Sequence, residues 1–202
     1  MKFTNAIFTG TFDPFHYGHF LAIKSAYKIF KFDEVIIFIS KQDPKKENAI
    51  DLDHRINLVK LMLDNSKIDY KYSIKVIDNI NVLNLKNELF AEISASRTIR
   101  ITGSDNIIAY ISSPNLRASL TYCEYAVIVR SIADRKALDK AIMSLPIEIS
   151  SGFHYRIISQ QEDHLQARKV RQDITIKKSS RLLSKEQILY IQHNRLYQDE
   201  IY

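Results

Sequence analysis

The chain has 202 residues and a net charge of +6, from 29 Lys and Arg against 23 Asp and Glu. Hydrophobic residues make up 46% and charged residues 26%, which is typical of a globular domain and excludes a disordered chain. The longest purely apolar run, Val35 to Ile39, is too short to span a bilayer, so no membrane partner is expected. The single cysteine, Cys123, excludes an internal disulfide and favours a cytoplasmic location.

Two kinds of partner could account for the positive charge, a nucleic acid or a small substrate rich in phosphate. A nucleic-acid-binding surface would use the basic residues of the C-terminal part, which are Arg168, Lys169, Arg171, Lys177, Lys178 and Arg181. No tract interleaves basic with aromatic residues, as a base-stacking surface would. We therefore expect a phosphorylated small molecule as the partner and no nucleic acid.

The predicted elements alternate between strands and helices along the chain. Apolar runs, and alternation over 70–77, predict strands over residues 3–8, 35–39, 70–77, 98–102, 125–129 and 147–149. Helical spacing predicts helices over 16–30, 52–63, 82–93, 134–143 and 184–193. Asp51 and Asp134 are the expected caps of two helices, and Ser184 to Gln187 has the form of a capping box.

This order predicts an α/β fold, a Rossmann-like doubly wound parallel sheet with helices on both faces and a small helical C-terminal segment over about 160–202. No Pro/Gly-rich linker interrupts the chain, so residues 1–202 are expected to form a single domain. Ligands of such sheets bind beyond the carboxyl ends of the strands, which directs attention to the loops that follow each strand.

The loop after the first strand carries the strongest chemical signal. It contains Gly10, Gly18 and the pair His16 and His19, and it opens the first helix. A strand-to-helix turn presents backbone N–H groups and a positive helix dipole, which attract phosphate. Gly10 would allow a tight turn close to a ligand, and Gly18 would leave room for phosphates. The histidines share a helix face; alternative roles are metal ligation or simple surface positions.

The run Gly10-Thr11-Phe12-Asp13-Pro14-x-His16-x-Gly18-His19 resembles the signature of the HxGH nucleotidyltransferase superfamily. Its form is most similar to that of the bacterial nicotinate-mononucleotide adenylyltransferases. Further matches are residues 101–106, Arg55, a strand ending in Arg130, and a closing pattern over 183–197. The resemblance therefore extends over nearly the whole chain.

The resemblance implies attack by the phosphate of nicotinate mononucleotide on the α-phosphorus of ATP, a step of NAD biosynthesis. Nicotinate adenine dinucleotide and pyrophosphate would be formed, with Mg²⁺ held mainly by the ATP phosphates and no protein ligand to the metal. The implied catalytic residues are His16, His19 and Arg171. The implied ATP-binding residues are Gly10, Thr11, Phe12, Asp13, Gly18, Gly103, Asp105 and Arg168. The implied acceptor-binding residues are Lys45, Lys46, Arg55 and Arg130.

Two of these residues are compatible with a second role. Asp105 could reach a ribose hydroxyl or cap a helix, and both roles could coexist. Arg168, with Gln166, stands where the family has hydroxyl residues that bind the triphosphate, and a basic helix face exposed to solvent is the alternative.

The acceptor side departs further from the family pattern. The loop Asp43-Pro44-Lys45-Lys46 is incomplete, and the segment at 79–83 lacks the usual hydroxyls. The chain has no Trp to stack on a pyridine ring, and Tyr110 or Tyr122 are the candidates to replace it. These departures leave open a different phosphorylated acceptor, CTP in place of ATP, or a nucleotide-binding protein without turnover. The chain could be a monomer or a homo-oligomer.

Overall fold

The computed structural model describes residues 3–42, 48–79, 97–160 and 166–198. Its six strands pair in parallel in one sheet of order β3-β2-β1-β4-β5-β6. The strands are β1 (Thr4–Gly10), β2 (Glu34–Gln42), β3 (Lys71–Asn79), β4 (Arg97–Gly103), β5 (Glu124–Val129) and β6 (Tyr155–Ser159). The predicted Rossmann-like α/β fold is confirmed.

Helices connect these strands in the described part of the chain. They are α1 (Tyr17–Phe30), α2 (Leu52–Asp64), α3 (Ser104–Ser112), α4 (Pro114–Arg117), α5 (Ile132–Met143), α6 (Ile147–Ser150), α7 (Ala167–Lys177) and α8 (Lys185–His193). A 3₁₀ turn, Ala118–Thr121, precedes β5. None of these helices combines the length and the apolarity needed to cross a bilayer.

The sheet is covered on both faces, and the alternation along β5 displays this most clearly. Ala126 and Ile128 join a core cluster with α1 and α2, whereas Val127 and Val129 join a second cluster with α3 and α5. A strand that is buried on both faces reads as a continuous apolar run, which is why the sequence predicted it.

The C-terminal segment is helical, as predicted, and it packs beside α2. Val170, Ile174 and Ile191 of this segment form a third apolar cluster with Leu58 of α2. The capping box at Ser184 is confirmed, because Ser184 Oγ accepts from Gln187 N and Gln187 Oε1 accepts from Ser184 N. The single-domain organisation of residues 1–202 stays a prediction.

Three sequence predictions need correction. Residues 147–149 are not a strand but belong to α6, where Pro146 fixes φ at −56° and starts a helical turn; the sixth strand is β6. The cap of α5 is Ser131, whose hydroxyl accepts from Asp134 N, so Asp134 is the third helical residue. Asp51 occupies the N-cap of α2 but makes no capping hydrogen bond through its side chain. The predicted helix over 82–93 lies outside the described residues.

Candidate active site

A cleft opens where β1 and β4 end, the point at which the sheet changes its winding direction. Its cavity is about 210 Å³ and is lined by residues 8–13, by residues 102, 103, 105 and 106, and by His19, Arg130 and Ala167. A neighbouring cavity of about 350 Å³ shares Asp105 and Arg130 with it. A crevice at this switch point is where open α/β sheets bind their ligands.

The cleft gathers eight of the residues singled out from the sequence, which are Gly10, Thr11, Phe12, Asp13, His19, Gly103, Asp105 and Arg130. His16, Gly18, Arg55, Arg168 and Arg171 are not among the described lining residues. Lys45 and Lys46 lie outside the described residues. The sequence did not single out Asn106 or Ala167 as lining residues; both occupy the first turn of a helix that begins at the cleft.

Both histidines of the first loop hold the start of α1. Nδ1 of His16 accepts from the backbone N of Gly18 at 3.1 Å, and Nδ1 of His19 accepts from the backbone N of His16 at 3.2 Å. A ring nitrogen that accepts a hydrogen bond carries no proton, so these contacts assign the proton of each neutral ring to Nε2. The rings lie against each other with their centroids 3.8 Å apart.

The two histidines differ in their surroundings. His19 lines the cleft, whereas His16 is only 2% exposed. Burial, and then the charge of Arg130, lower the pKa of His16 from its usual 6.5 to about 3. His16 is therefore neutral near pH 7 and offers a hydrogen bond rather than a positive charge.

The protein itself occupies the first N–H groups of α1. Tyr17 N donates to Leu182 O at 2.8 Å, Gly18 N donates to His16, and His19 N and Phe20 N both donate to His16 O. The expectation of open backbone donors at this helix start is therefore wrong. A phosphate near α1 would therefore contact an imidazole ring. The hydrogen bond that Nδ1 accepts from the backbone polarises the ring and strengthens Nε2–H as a donor.

Gly10 lines the cleft, and an aromatic ring occupies the place where its Cβ would lie. A Cβ at Gly10 would lie 2.7 Å from Cε1 of Phe12, closer than side chains tolerate. The positive φ of this loop, 51°, belongs to Phe12 itself. Its ring packs against Phe8, Phe15 and His19. Gly10 therefore lets Phe12 fold back and support His19, which corrects the expected role in a tight turn.

Asp13 connects the first loop to the C-terminal segment. Its Oδ1 accepts from the hydroxyl of Tyr197 at 2.7 Å, and its backbone oxygen accepts from Nη1 of Arg171 at 2.6 Å. The same Nη1 lies 3.6 Å from Oδ2 of Asp13. The structure thus places the predicted catalytic Arg171 at the loop, and it adds Tyr197, which is separated from Asp13 by 184 residues.

The second wall of the cleft is the start of α3. Gly103 is its N-cap and Asp105 is its second residue, so the suggested capping role of Asp105 is wrong. A Cβ at Gly103 would overlap Oδ1 of Asp105, so a side chain there would displace this carboxylate. Asp105 is exposed and faces both cavities, as a group that binds a ribose hydroxyl would.

Arg55 is surrounded by protein instead of facing an acceptor. It is 2% exposed, and its guanidinium donates to the carbonyl oxygens of Ile50, Thr11, Ser40 and Lys41. These bonds join the loop after β1 to the end of β2. The direct acceptor contact expected for Arg55 conflicts with this burial, and a bracing role fits instead.

The two tyrosines suggested as stacking residues are placed elsewhere. Tyr110 is buried, and its hydroxyl accepts from Nη2 of Arg100 at 2.8 Å. Tyr122 is exposed but precedes β5, at the amino edge of the sheet, whereas the cleft lies at the carboxyl edge. Neither residue can stack on a ligand in the cleft as the structure stands.

The start of α7 reaches the cleft with a basic first turn. Its N-cap, Gln166, lines the larger cavity and makes no side-chain capping bond, and Ala167 lines the smaller one. Arg168 follows as an exposed residue. Lys169 and Lys177 both pair with Asp173, and Arg171 contacts Asp13, so half of the six basic residues of the C-terminal part have acidic neighbours.

The chain also has measurable similarity to known proteins. A family model described as cytidylyltransferase-like matches residues 7–180. A probable nicotinate-nucleotide adenylyltransferase of Pelagibacter ubique is 34% identical over 140 residues, covering 65% of this chain and 74% of that relative. A phosphopantetheine adenylyltransferase of Campylobacter hominis is 38% identical over 86 residues, covering 43% of this chain and 45% of that relative.

A solved structure agrees with the fold. The nicotinic acid mononucleotide adenylyltransferase of Plasmodium falciparum, complexed with NaAD, superposes with a TM-score of 0.72 at 18% identity, covering 99% of this chain and 100% of that chain. At this level of identity the match establishes the fold alone. The sequence matches agree with the resemblance carried by residues 10–19.

Proposed function

Because the chain belongs to the cytidylyltransferase-like family, we propose that it transfers the adenylyl group of ATP to nicotinate mononucleotide, giving nicotinate adenine dinucleotide and pyrophosphate. The observation that carries the proposal is the pair of imidazoles at the start of α1, both with the proton assigned to Nε2 and one lining the cleft. The single cysteine favours a cytoplasmic location, which stays a prediction.

Adenylyl transfer requires that the two phosphate-bearing substrates be aligned and that their negative charge be stabilised, more than it requires proton transfer. The acceptor phosphate is already ionised near neutral pH, so it can attack the α-phosphorus without a strong general base. A neutral His16 suits this requirement, because its lowered pKa keeps it from acting as an acid near pH 7. The Nε2–H of His19 supports the developing charge of the phosphates as a fixed donor.

Positive charge comes from three arginines that reach the cleft or its rim. Arg130 lines both cavities at the end of β5, Arg168 lies in the first turn of α7, and Arg171 contacts the first loop. We assign Arg168 and Arg171 to the triphosphate, because both lie near the α7 end that opens onto the cleft. Arg130, which follows β5, is assigned to the acceptor phosphate.

The carboxylates of the cleft suit an ion held by substrate rather than by protein. Asp13 is engaged by Tyr197 and Arg171, and Asp105 lies apart from it in the first turn of α3. Across the described ranges, no group of three His, Cys, Asp or Glu side chains could hold a metal ion. Mg²⁺ that coordinates the phosphates would neutralise charge on the departing pyrophosphate.

A different phosphorylated acceptor is the second candidate. The chain has no Trp, Tyr110 is buried against Arg100, and Tyr122 lies at the opposite sheet edge, so the described cleft offers no aromatic platform for a pyridine ring from these residues. The relative from Campylobacter hominis is named for a phosphopantetheine substrate. The two candidates share the nucleotide half of the site and differ only in the acceptor.

One assay separates the candidates. The protein is incubated with Mg²⁺, ATP or CTP, and a panel of acceptors that includes nicotinate mononucleotide, nicotinamide mononucleotide and 4′-phosphopantetheine, and pyrophosphate release is measured. We expect release with ATP and nicotinate mononucleotide, and a dinucleotide product of the corresponding mass. Release with another acceptor alone selects the second candidate. ATP binding without release from any acceptor would identify a nucleotide-binding protein without turnover.

A further inference from the structure

We infer that Tyr197 is a positioning residue for the nucleotide site, acting through the Asp13 carboxylate on the Arg171 guanidinium. The inference rests on the proposed function and concerns a residue that does not touch the substrate. Tyr197 lies near the C-terminal end of the described chain, and its hydroxyl donates to Oδ1 of Asp13 at 2.7 Å. Both side chains are buried, so the hydrogen bond is shielded from water.

The contacts around Tyr197 form a closed circuit. Arg171 and Thr175 stand four residues apart on α7 and share one face of that helix. Arg171 donates from Nη1 to the backbone oxygen of Asp13, and Thr175 donates from Oγ1 to the backbone oxygen of Tyr197 at 2.9 Å. Tyr197 then closes the circuit on the Asp13 side chain. One face of α7 therefore holds both partners of Asp13 in place.

The backbone of Tyr197 has an uncommon conformation. Its φ is 59°, a left-handed conformation that bulky residues rarely adopt. Phe12, which directly precedes Asp13, also has a positive φ, at 51°. One uncommon backbone conformation belongs to Tyr197 and another directly precedes Asp13, and such conformations persist only where the surrounding structure holds them.

The circuit decides which oxygen of Asp13 faces Arg171. Tyr197 donates to Oδ1, and Oδ2 lies 3.6 Å from Nη1 of Arg171. Without the hydroxyl, both carboxylate oxygens can turn to the guanidinium and form the bidentate pair that arginine favours. Asp13 also lines the cleft, so a released carboxylate would repel a triphosphate while it draws Arg171 away from it.

The test compares Tyr197→Phe with Tyr190→Phe, a matched control in the same segment. Tyr190 also uses its hydroxyl, with His54 and Asn57 as partners, but it does not contact Asp13 in the described structure. We expect Tyr197→Phe to raise KM for ATP roughly tenfold, the effect of losing one bond to a charged group, with kcat within threefold of wild type. Tyr190→Phe should leave both constants within twofold.

An Asp13→Asn background tests whether the effect passes through the carboxylate. There we expect Tyr197→Phe to change KM for ATP by less than twofold, because the charge that it would release is absent. A purely structural role would lower the urea midpoint and the active fraction, and so reduce kcat without changing KM. Equal KM values for Tyr197→Phe and Tyr190→Phe, or additive effects in the Asp13→Asn background, would overturn the inference.

Binding of a non-hydrolysable ATP analogue separates this inference from the proposed function. If wild-type protein binds the analogue but turns over no acceptor, the proposed function fails, and the dissociation constants of the same variants still test the positioning role. If wild-type protein turns over and Tyr197→Phe binds the analogue as tightly as wild type does, the inference alone fails.

Discussion

Two helix starts reach the cleft, and the residues of their first turns differ in kind. At α1 the first N–H groups are bonded to Leu182 O, to the His16 ring and to His16 O. At α7 the N-cap Gln166 makes no side-chain capping bond and the first turn contains no acidic residue. A helix N-terminus favours negative charge, so cations in the first turn of α7 are unfavourable until an anion arrives. The start of α1 holds the imidazole donors in place, whereas the start of α7 places cations beside the cleft.

The largest effect should come from removing the Nε2–H donor of His19 while keeping the hydrogen bond that caps α1. In His19→Asn the amide oxygen can take the place of Nδ1 and still accept from His16 N, but no group replaces Nε2–H. We expect kcat/KM to fall about 100- to 1,000-fold, as when one preorganised donor is lost, and the urea midpoint to stay close to wild type. His19→Ala should lose the same activity and some stability as well.

An exposed histidine supplies the control for this prediction. His193 at the end of α8 is exposed and far along the chain from the first loop, so His193→Asn should retain full activity. Activity of His19→Asn within a few-fold of wild type in single-turnover assays with ATP and nicotinate mononucleotide would remove His19 from the proposed mechanism.

The second prediction uses the pH dependence of stability to test whether His16 is buried in its neutral form at the start of α1. Folding lowers the pKa of His16 from 6.5 to about 3. Between these pH values His16 is protonated in the unfolded chain and neutral in the folded chain. The stabilisation is complete above pH 6.5 and is lost as pH falls toward 3, at up to about 1.4 kcal/mol per pH unit. Wild-type protein should therefore lose roughly 2 kcal/mol of unfolding free energy from this group between pH 6.5 and 4.5.

His16→Asn should remove that part of the pH dependence. Asn is a favoured N-cap residue and can accept from Gly18 N, so the helix start is kept while the titrating ring is lost. Urea unfolding at pH 6.5 and 4.5 measures the difference for wild type, for His16→Asn and for His154→Asn, an exposed control. Equal slopes for wild type and His16→Asn would contradict the assignment of a neutral, buried His16.

The third prediction concerns the ring that supports the start of α1. Gly10→Ala places a methyl group 2.7 Å from the Phe12 ring, which is held by Phe8, Phe15 and His19. We expect a loss of about 1–3 kcal/mol from overpacking, read as a lower urea midpoint. Gly152→Ala is the milder comparison, because its Cβ would meet Cγ2 of Thr121 at 3.0 Å. The Gly10 effect should shrink in a Phe12→Leu background if the ring is its cause.

The sequence predicted the strands and the first loop, but not the contacts that hold the start of α1. Apolar runs and alternation located five of the six strands; the central strands, buried on both faces, have little choice but apolar residues. It could not reveal that the His16 ring folds back to cap its own helix, since a side-chain rotamer leaves no trace in residue spacing. Nor could it reveal why Gly10 is a glycine, because the reason is the position of a ring two residues away.

Long-range partners account for the remaining differences. A motif assigns Arg55 to the acceptor, yet its partners are carbonyl oxygens brought together only when β1, β2 and α2 pack. The Tyr197–Asp13 bond joins opposite ends of the chain, and a closing Leu-Tyr pattern does not say which group the tyrosine meets. By contrast, the basic residues and the altered hydroxyl motif of residues 165–171 are visible in the sequence, because they depend on residue identity alone.

The smallest effect should come from the basic first turn of α7, and the effect on stability and the effect on ATP binding should have opposite signs. In the absence of ATP, Arg168→Ala removes a cation from the first turn of α7 and should stabilise the protein by roughly 0.3–1 kcal/mol. With ATP, the same change should raise KM about three- to fivefold and leave kcat within twofold, with the difference shrinking as salt is added. Lys178→Ala, at the C-cap of the same helix, should do neither, because a cation there already complements the dipole. Lower stability together with an unchanged KM in Arg168→Ala would show that Arg168 is bonded into the protein and does not serve ATP.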